Sequence, residues 1–87
     1  MERVQIFQTV RTIVFNLVKN KTKDKPLKET DVLETSELIN VLKCNSKDLL
    51  QIKAQVLAKF EVDVPIEDPT KFKKVGDIVT YIKARTV

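Results

Sequence analysis

Two side chains with nucleophilic chemistry, Cys44 and Ser46, lie close together in LKCNSKDLL, residues 42–50. Such a thiol or hydroxyl needs an adjacent base, most often histidine, to act as a catalytic nucleophile. The 87-residue chain contains no histidine, so a Ser-His or Cys-His enzyme is excluded for the chain alone. One cysteine forms neither an internal disulfide nor a thiolate zinc site. We therefore expect no metal site and no enzyme, although carboxylate-based catalysis stays open.

Each of these residues has a simpler alternative to a chemical role. Ser46 precedes an apolar run, so it is predicted as a helix N-cap, with Asp48 placed to favour the first helical turn. Cys44 without a histidine partner is interpreted as a small, partly buried apolar residue. Composition alone leaves open whether Ser46 is only a cap or also a site of chemistry.

Apolar residues at spacings of three and four predict the helices that position these residues. The first runs from about residue 2 to 19, the second from Ser46 to Phe60, and the last from about 75 to 83. Residues 20–35 are predicted as a long loop, and residues 66–72 as one short helical turn. The sequence thus predicts an all-α fold, a small four-helix bundle with three main helices plus a short third helix, in a single domain of residues 1–87.

The second helix carries two apolar stripes on neighbouring faces, at 100° per residue. The core stripe is Leu49, Ile52, Val56 and Phe60, and the second stripe is Leu50, Ala54 and Leu57. Lys53 lies between them and has to extend its ammonium to water. We therefore expect the second stripe near the surface, as a docking face. Periodicity alone favours a wide core face equally.

The net charge of +4 comes with lysine clusters in residues 19–28 and 71–74. These clusters contain interspersed acids and no aromatic platform, which favours solvated surfaces over a nucleic-acid site. No apolar run reaches the roughly 20 residues of a membrane span. The N-terminal segment also lacks the uninterrupted apolar core of a signal peptide. We expect a cytoplasmic protein with no nucleic-acid partner and no membrane span.

Residues 36–83 resemble the acyl carrier protein family, in which a serine opens the second helix. Phe60 follows Ser46 by the family's spacing of 14 residues, and FEVDVP (60–65) is similar to the family's Phe-Asp-x-Glu-Ile-Pro segment. SELINVLKCNS (36–46) is similar to its Ser-Phe-x-x-Asp-Leu-Gly-x-Asp-Ser segment. The family's last-helix pattern is matched by Phe72, Val75, Tyr81 and Ile82.

The resemblance implies that Ser46 carries a covalent 4′-phosphopantetheine arm, derived from coenzyme A, which holds acyl groups as thioesters. Asn45 and Lys47 would flank this cofactor site. The implied partners of the monomer are a phosphopantetheinyl transferase and acyl-loading and acyl-transfer enzymes. The partner-binding residues would be Asp48, Leu50, Ala54, Leu57 and Glu67. The acyl pocket would be lined by Ile52, Val56, Val62, Phe72 and Ile78.

Three residues around the serine depart from the family pattern, since Lys43, Asn45 and Lys47 stand where the family has Gly, Asp and Leu. The family's second helix is usually acidic and meets basic patches on enzymes, whereas here lysines outnumber acids. These departures predict a specialised carrier for a dedicated lipid or secondary-metabolite pathway, not general fatty acid biosynthesis. The alternatives are a carrier-fold protein–protein interaction module lacking the arm and, on net charge alone, a nucleic-acid-binding bundle.

Overall fold

A computed structural model of the protein describes residues 2–19, 28–68 and 70–86. Its α-helices are α1 (Arg3–Val18), α2 (Ser46–Phe60) and α3 (Val75–Arg85), and a short 3-10 helix spans Glu29–Asp31. The all-α prediction is confirmed, and the ends of the three main helices agree with the predicted ones to within about two residues. Residues 20–27 of the predicted long loop lie outside the described residues, and residues 28–35 contain the 3-10 helix Glu29–Asp31, which was not predicted from the sequence.

The three α-helices share one core, which is dominated by the β-branched side chains of valine and isoleucine. The buried members from the helices are Ile6, Val10, Ile13, Val14, Val18, Ile52, Val56, Val75, Ile78, Val79 and Ile82. α1 packs against both α2 and α3. Because β-branched side chains have one strongly preferred χ1 rotamer in a helix, this core holds the three helices in a well-defined arrangement.

The segment ahead of α2 is tied to the start of α3 by backbone hydrogen bonds. Leu38 N–H donates to the carbonyl of Lys73 at 2.8 Å, and Gly76 N–H donates to the carbonyl of Glu34 at 2.8 Å. A Cβ atom at Gly76 would lie 3.0 Å from that same Glu34 oxygen, so the close approach favours glycine. These bonds set the path by which the chain reaches Cys44 and Ser46.

The short third helix expected over residues 66–72 is replaced by turns in the described residues. Asp68 Oδ1 accepts hydrogen bonds from Thr70 N–H at 3.0 Å and from Thr70 Oγ1 at 2.6 Å. Such local side-chain hydrogen bonds compete with the backbone hydrogen bonds of a helix. Phe72 N–H closes one turn onto the carbonyl of Asp68 at 3.1 Å. The described residues between α2 and α3 therefore form successive turns and no further helix.

Two non-glycine residues, Lys43 and Glu61, adopt left-handed backbone conformations with φ of 61° and 58°. Glu61 directly follows α2, and its N–H donates to the carbonyl of Leu57 at 2.9 Å. A left-handed residue at this position ends a helix, and glycine is the usual choice because it has no Cβ. Glu61 thus ends α2 at a conformational cost of about 1 kcal/mol.

We predict that Glu61→Gly raises the free energy of unfolding by about 0.5–1 kcal/mol, because glycine adopts this conformation without a steric penalty. Urea denaturation followed by circular dichroism measures the change. Glu61→Ala is the matched control, since it removes the carboxylate from the helix C-terminus but keeps Cβ. An equal gain in both variants would assign the effect to charge and contradict the conformational explanation.

Candidate functional site

The start of α2 is held by a reciprocal pair of hydrogen bonds between Asn45 and Asp48. Asn45 Oδ1 accepts from the N–H of Asp48 at 2.9 Å, and Asp48 Oδ2 accepts from the N–H of Asn45 at 3.0 Å. Asn45 is therefore the N-cap, and the prediction that Ser46 caps the helix is wrong. Asparagine caps a helix as well as aspartate or serine does, so the cap lies one residue earlier and Ser46 is the first helical residue.

Ser46 is exposed, and its hydroxyl makes no hydrogen bond to any residue that the structure describes. The first N–H groups of a helix have no intrahelical partner, and together with the helix dipole they favour an anion. Lys43 and Lys47 are exposed on either side of the serine in sequence. The first turn of α2 therefore combines an available hydroxyl with a locally positive environment.

A small pocket of about 150 Å³ adjoins the hydroxyl and is lined by Ser46, Leu49, Leu50 and Glu67. Its walls come from the first turns of α2 and from the connector that follows α2. An apolar group attached near Ser46 has this space within its immediate reach.

Lys53 binds two carboxylates of the connector between α2 and α3. Its Nζ lies 2.7 Å from Glu67 Oε1 and 3.5 Å from Asp63 Oδ1. The hydrogen bond to Glu67 is the main cause of the raised pKa of Lys53, and the same bond lowers the pKa of Glu67. The ammonium thus reaches carboxylates rather than only water, and it links α2 to the wall of the pocket.

The predicted partner-binding residues lie in three different settings. Leu50 and Leu57 are 53% and 47% exposed, and Ala54 is exposed between them. The second stripe is therefore a surface feature and not part of a wide core face. Asp48 is partly buried at the helix cap, and Glu67 lies at the pocket. The stripe and Glu67 are thus accessible, while Asp48 also has a structural role.

The five predicted acyl-pocket residues are all buried and belong to the shared core: Ile52, Val56, Val62, Phe72 and Ile78. Cys44 is also buried, with 5% of its surface exposed, as its apolar interpretation predicts. Ile52 and Val56 lie on the buried face of the same helix whose first turn lines the pocket beside Ser46.

The cap at Asn45 and the pairing of Lys53 with two carboxylates were not predicted, for different reasons. The spacing of Asn45 and Asp48 is that of a capping box, in which a cap residue pairs with an acidic or amide residue three positions later. This signal was available in the sequence. The pairing of Lys53 with Glu67 and Asp63 depends on the path of an irregular connector, for which periodicity gives no signal.

Neither a membrane-spanning helix nor a metal-binding cluster occurs in the described part of the chain. No helix there is long and apolar enough to cross a bilayer. No group of three or more His, Cys, Asp or Glu side chains there is placed to hold a metal ion.

Comparison with known proteins finds relatives named acyl carrier protein. The chain is 34% identical over 73 residues to those of Rickettsia canadensis (strain McKiel), Rickettsia massiliae (strain Mtu5) and Rickettsia prowazekii (strain Madrid E). Each match covers 83% of this chain and 80% of the relative. No family model matches the chain.

We predict that Asn45→Ala lowers the free energy of unfolding by about 1 kcal/mol, the usual cost of losing an N-cap. Ser46→Ala should change stability far less, because the serine hydroxyl is not part of the cap. Asn45→Asp preserves the acceptor oxygen and is the matched control, which we expect to stay close to the parent. Urea denaturation distinguishes these variants, and a larger loss for Ser46→Ala than for Asn45→Ala would contradict the assignment.

We predict that Lys53→Met raises the pKa of Glu67 toward its ordinary value, because the variant lacks the hydrogen bond that lowers it. A lowered carboxyl pKa adds stability above the pKa of the unfolded chain, and this addition is lost as pH falls through the folded-state pKa. The variant should therefore lose less stability than the parent across that acidic range. Carboxyl NMR titration measures the pKa of Glu67, with Lys59→Met as the control. An unchanged pKa of Glu67 in Lys53→Met would contradict the pairing.

Proposed function

The chain belongs to the acyl carrier protein family, and we propose that Ser46 is the attachment site of a 4′-phosphopantetheine arm. The observation that carries this proposal is the exposed Ser46 hydroxyl in the first turn of α2, which makes no hydrogen bond to a described residue. Asn45 and Asp48 complete the cap without the serine. Modification of Ser46 therefore removes no hydrogen bond that holds the helix.

The residues around Ser46 fit the phosphate of such an arm. Lys43 and Lys47 supply positive charge, and the first turn of α2 supplies N–H groups aligned with the helix dipole. Asn45 keeps the capping oxygen that the family's aspartate provides, although it lacks the charge. When bound, the arm supplies a thiol that holds acyl groups as thioesters. The chain's own part is to expose the hydroxyl, orient it and neutralise the adjacent anion.

We propose that the acyl chain begins its path at the pocket lined by Leu49, Leu50 and Glu67. This pocket is about half the roughly 300 Å³ at the lower end of pockets that bury a drug-sized ligand. Space for a longer chain would have to come from the core residues behind it: Ile52, Val56, Val62, Phe72 and Ile78. Their burial and apolar character support this assignment.

We propose further that the carrier serves a dedicated lipid or secondary-metabolite pathway. Its partners in this proposal are a phosphopantetheinyl transferase and the enzymes that load and transfer the acyl group. They would contact the stripe formed by Leu50, Ala54 and Leu57, with Asp48 and Glu67 at its margins. The exposure of the stripe supports this, and the lysines around Ser46 favour partners other than those of a typical acidic carrier.

We predict that incubating the purified chain with coenzyme A and a broad-specificity phosphopantetheinyl transferase adds the mass of one phosphopantetheine group. Intact-protein mass spectrometry measures the addition. Ser46→Ala should abolish it, while Ser36→Ala, which alters the only other serine of the chain, should retain it. No added mass on the parent, or an addition that survives Ser46→Ala, would sink the proposal.

A second candidate function, an interaction module that lacks the arm, is favoured by Asn45 and Lys47, which replace the residues usual beside the serine. Mass spectrometry of the protein isolated from its own host separates the two functions. A chain bound to a partner protein while Ser46 is wholly unmodified would favour the module. Substantial modification at Ser46 would favour the carrier.

A further inference from the structure

We propose that the outward face of α2 docks on partner proteins whose apolar groove is rimmed by carboxylates. This polarity is the reverse of the one that the family resemblance implies, in which an acidic helix meets basic patches. The inference rests on the proposed function, since the partners are the enzymes that act on the arm at Ser46. It adds the chemistry of the surface that those enzymes must present.

The outward face of α2 carries a single charged side chain, and that charge is positive. At 100° per residue, the side chains opposite the buried stripe fall on one side of the helix. They are Lys47, Leu50, Gln51, Ala54, Leu57 and Ala58, and all six are exposed. A partner covering this face meets an apolar ridge with a cation at the end next to Ser46.

Three of the four acidic side chains near this face have positive or donor partners. The fourth, Glu61, is exposed and directly follows α2, at the opposite end of the face from Ser46. Asp48 is the only acid in α2, and its carboxylate accepts the N–H of Asn45 at the helix start. Glu67 and Asp63 share the ammonium of Lys53, at 2.7 Å and 3.5 Å. One ammonium offsets only one of these two carboxylates, so the remaining negative charge lies at the connector and at the helix cap and not on the outward face of α2.

The positive side chains beside Ser46 are not compensated in this way. Lys43 and Lys47 take part in no salt bridge within residues 2–19, 28–68 and 70–86. The phosphodiester of the proposed arm carries one negative charge and so offsets only one of the two. Lys47 is the one charged side chain that the outward face itself presents beside the arm, and charge complementarity at that point requires carboxylates on the partner.

Charge and size argue against the other occupants of this face. A two-fold contact between copies would bring the same patch against itself, with each chain carrying a net charge of +4. Two exposed leucines and two alanines give little apolar area beside the roughly 1,200–2,000 Å² of a stable interface, which disfavours a permanent dimer and fits transient docking on an enzyme. A membrane-surface helix places a large apolar face in the lipid, whereas the larger apolar face of α2 lies in the core.

Arm transfer to Ser46 by enzymes of opposite docking charge tests the proposal. The probes are a phosphopantetheinyl transferase with a cationic docking surface and a variant of it with those cations replaced by glutamate. We measure kcat/KM on the parent and on Lys47→Glu, at low and at high salt. Lys59→Glu is the matched control, because it makes the same charge change about 120° around α2.

With the cationic transferase, we expect Lys47→Glu to raise kcat/KM about tenfold at low salt, since a repulsion becomes an attraction. Added salt should speed modification of the parent and slow that of Lys47→Glu, because screening weakens both effects. The transferase variant that carries glutamates should have the higher kcat/KM on the parent and the lower one on Lys47→Glu. Lys59→Glu should have the same kcat/KM as the parent with both enzymes.

If the cationic enzyme modifies the parent faster than Lys47→Glu, and salt slows its reaction with the parent, the proposed docking polarity is wrong. The assignment of Ser46 would remain intact. No transfer to any variant that retains Ser46 would instead sink the proposed function and this inference with it. Sedimentation equilibrium and pelleting with phosphatidylglycerol vesicles complete the test. A dimer lost in Lys47→Glu, or vesicle binding lost in that variant, would give the face a different occupant and overturn the proposal.

Discussion

The Asn45–Asp48 pair fixes where α2 begins, and the chemistry proposed for the protein depends on that boundary. With the cap at Asn45, Ser46 enters the first helical turn and its hydroxyl takes no part in holding the helix. A cap at Ser46 would have engaged the same oxygen with the backbone. The separation of the capping side chain from the candidate nucleophile is thus what makes the serine available.

The rest of the fold keeps this helix start in place. α1 packs against both α2 and α3, with valine and isoleucine filling most of the shared core. The segment before Ser46 is bonded to the beginning of α3, and Lys53 ties the body of α2 to the connector after it. The proposed site therefore belongs to a helix that is fastened to its neighbours on both sides.

Much of this arrangement follows from the sequence. The three main helices were predictable because their apolar residues recur at helical spacing, and the exposed stripe followed from the place of Lys53 between two apolar rows. The exact cap was missed because Asn45 and Ser46 are equally good cap types, although Asp48, three residues after Asn45, carries the sequence signal that decides between them. In the described residues, turns replace the predicted short helix, and the Asp68 side chain bonds locally to Thr70 there, a competition that apolar periodicity does not indicate.

The burial of Cys44 sets the thiol chemistry available at this end of the molecule. It is the only cysteine of the chain, and it lies in the core two residues from the proposed attachment site. A thiol reacts as its thiolate and needs access to solvent. The buried Cys44 side chain is therefore protected from thiol–disulfide exchange. With the proposed arm attached at Ser46, the accessible thiol would be that of the arm. Acyl groups then have no nearby cysteine onto which they could migrate, and the arm has none with which to form an internal disulfide.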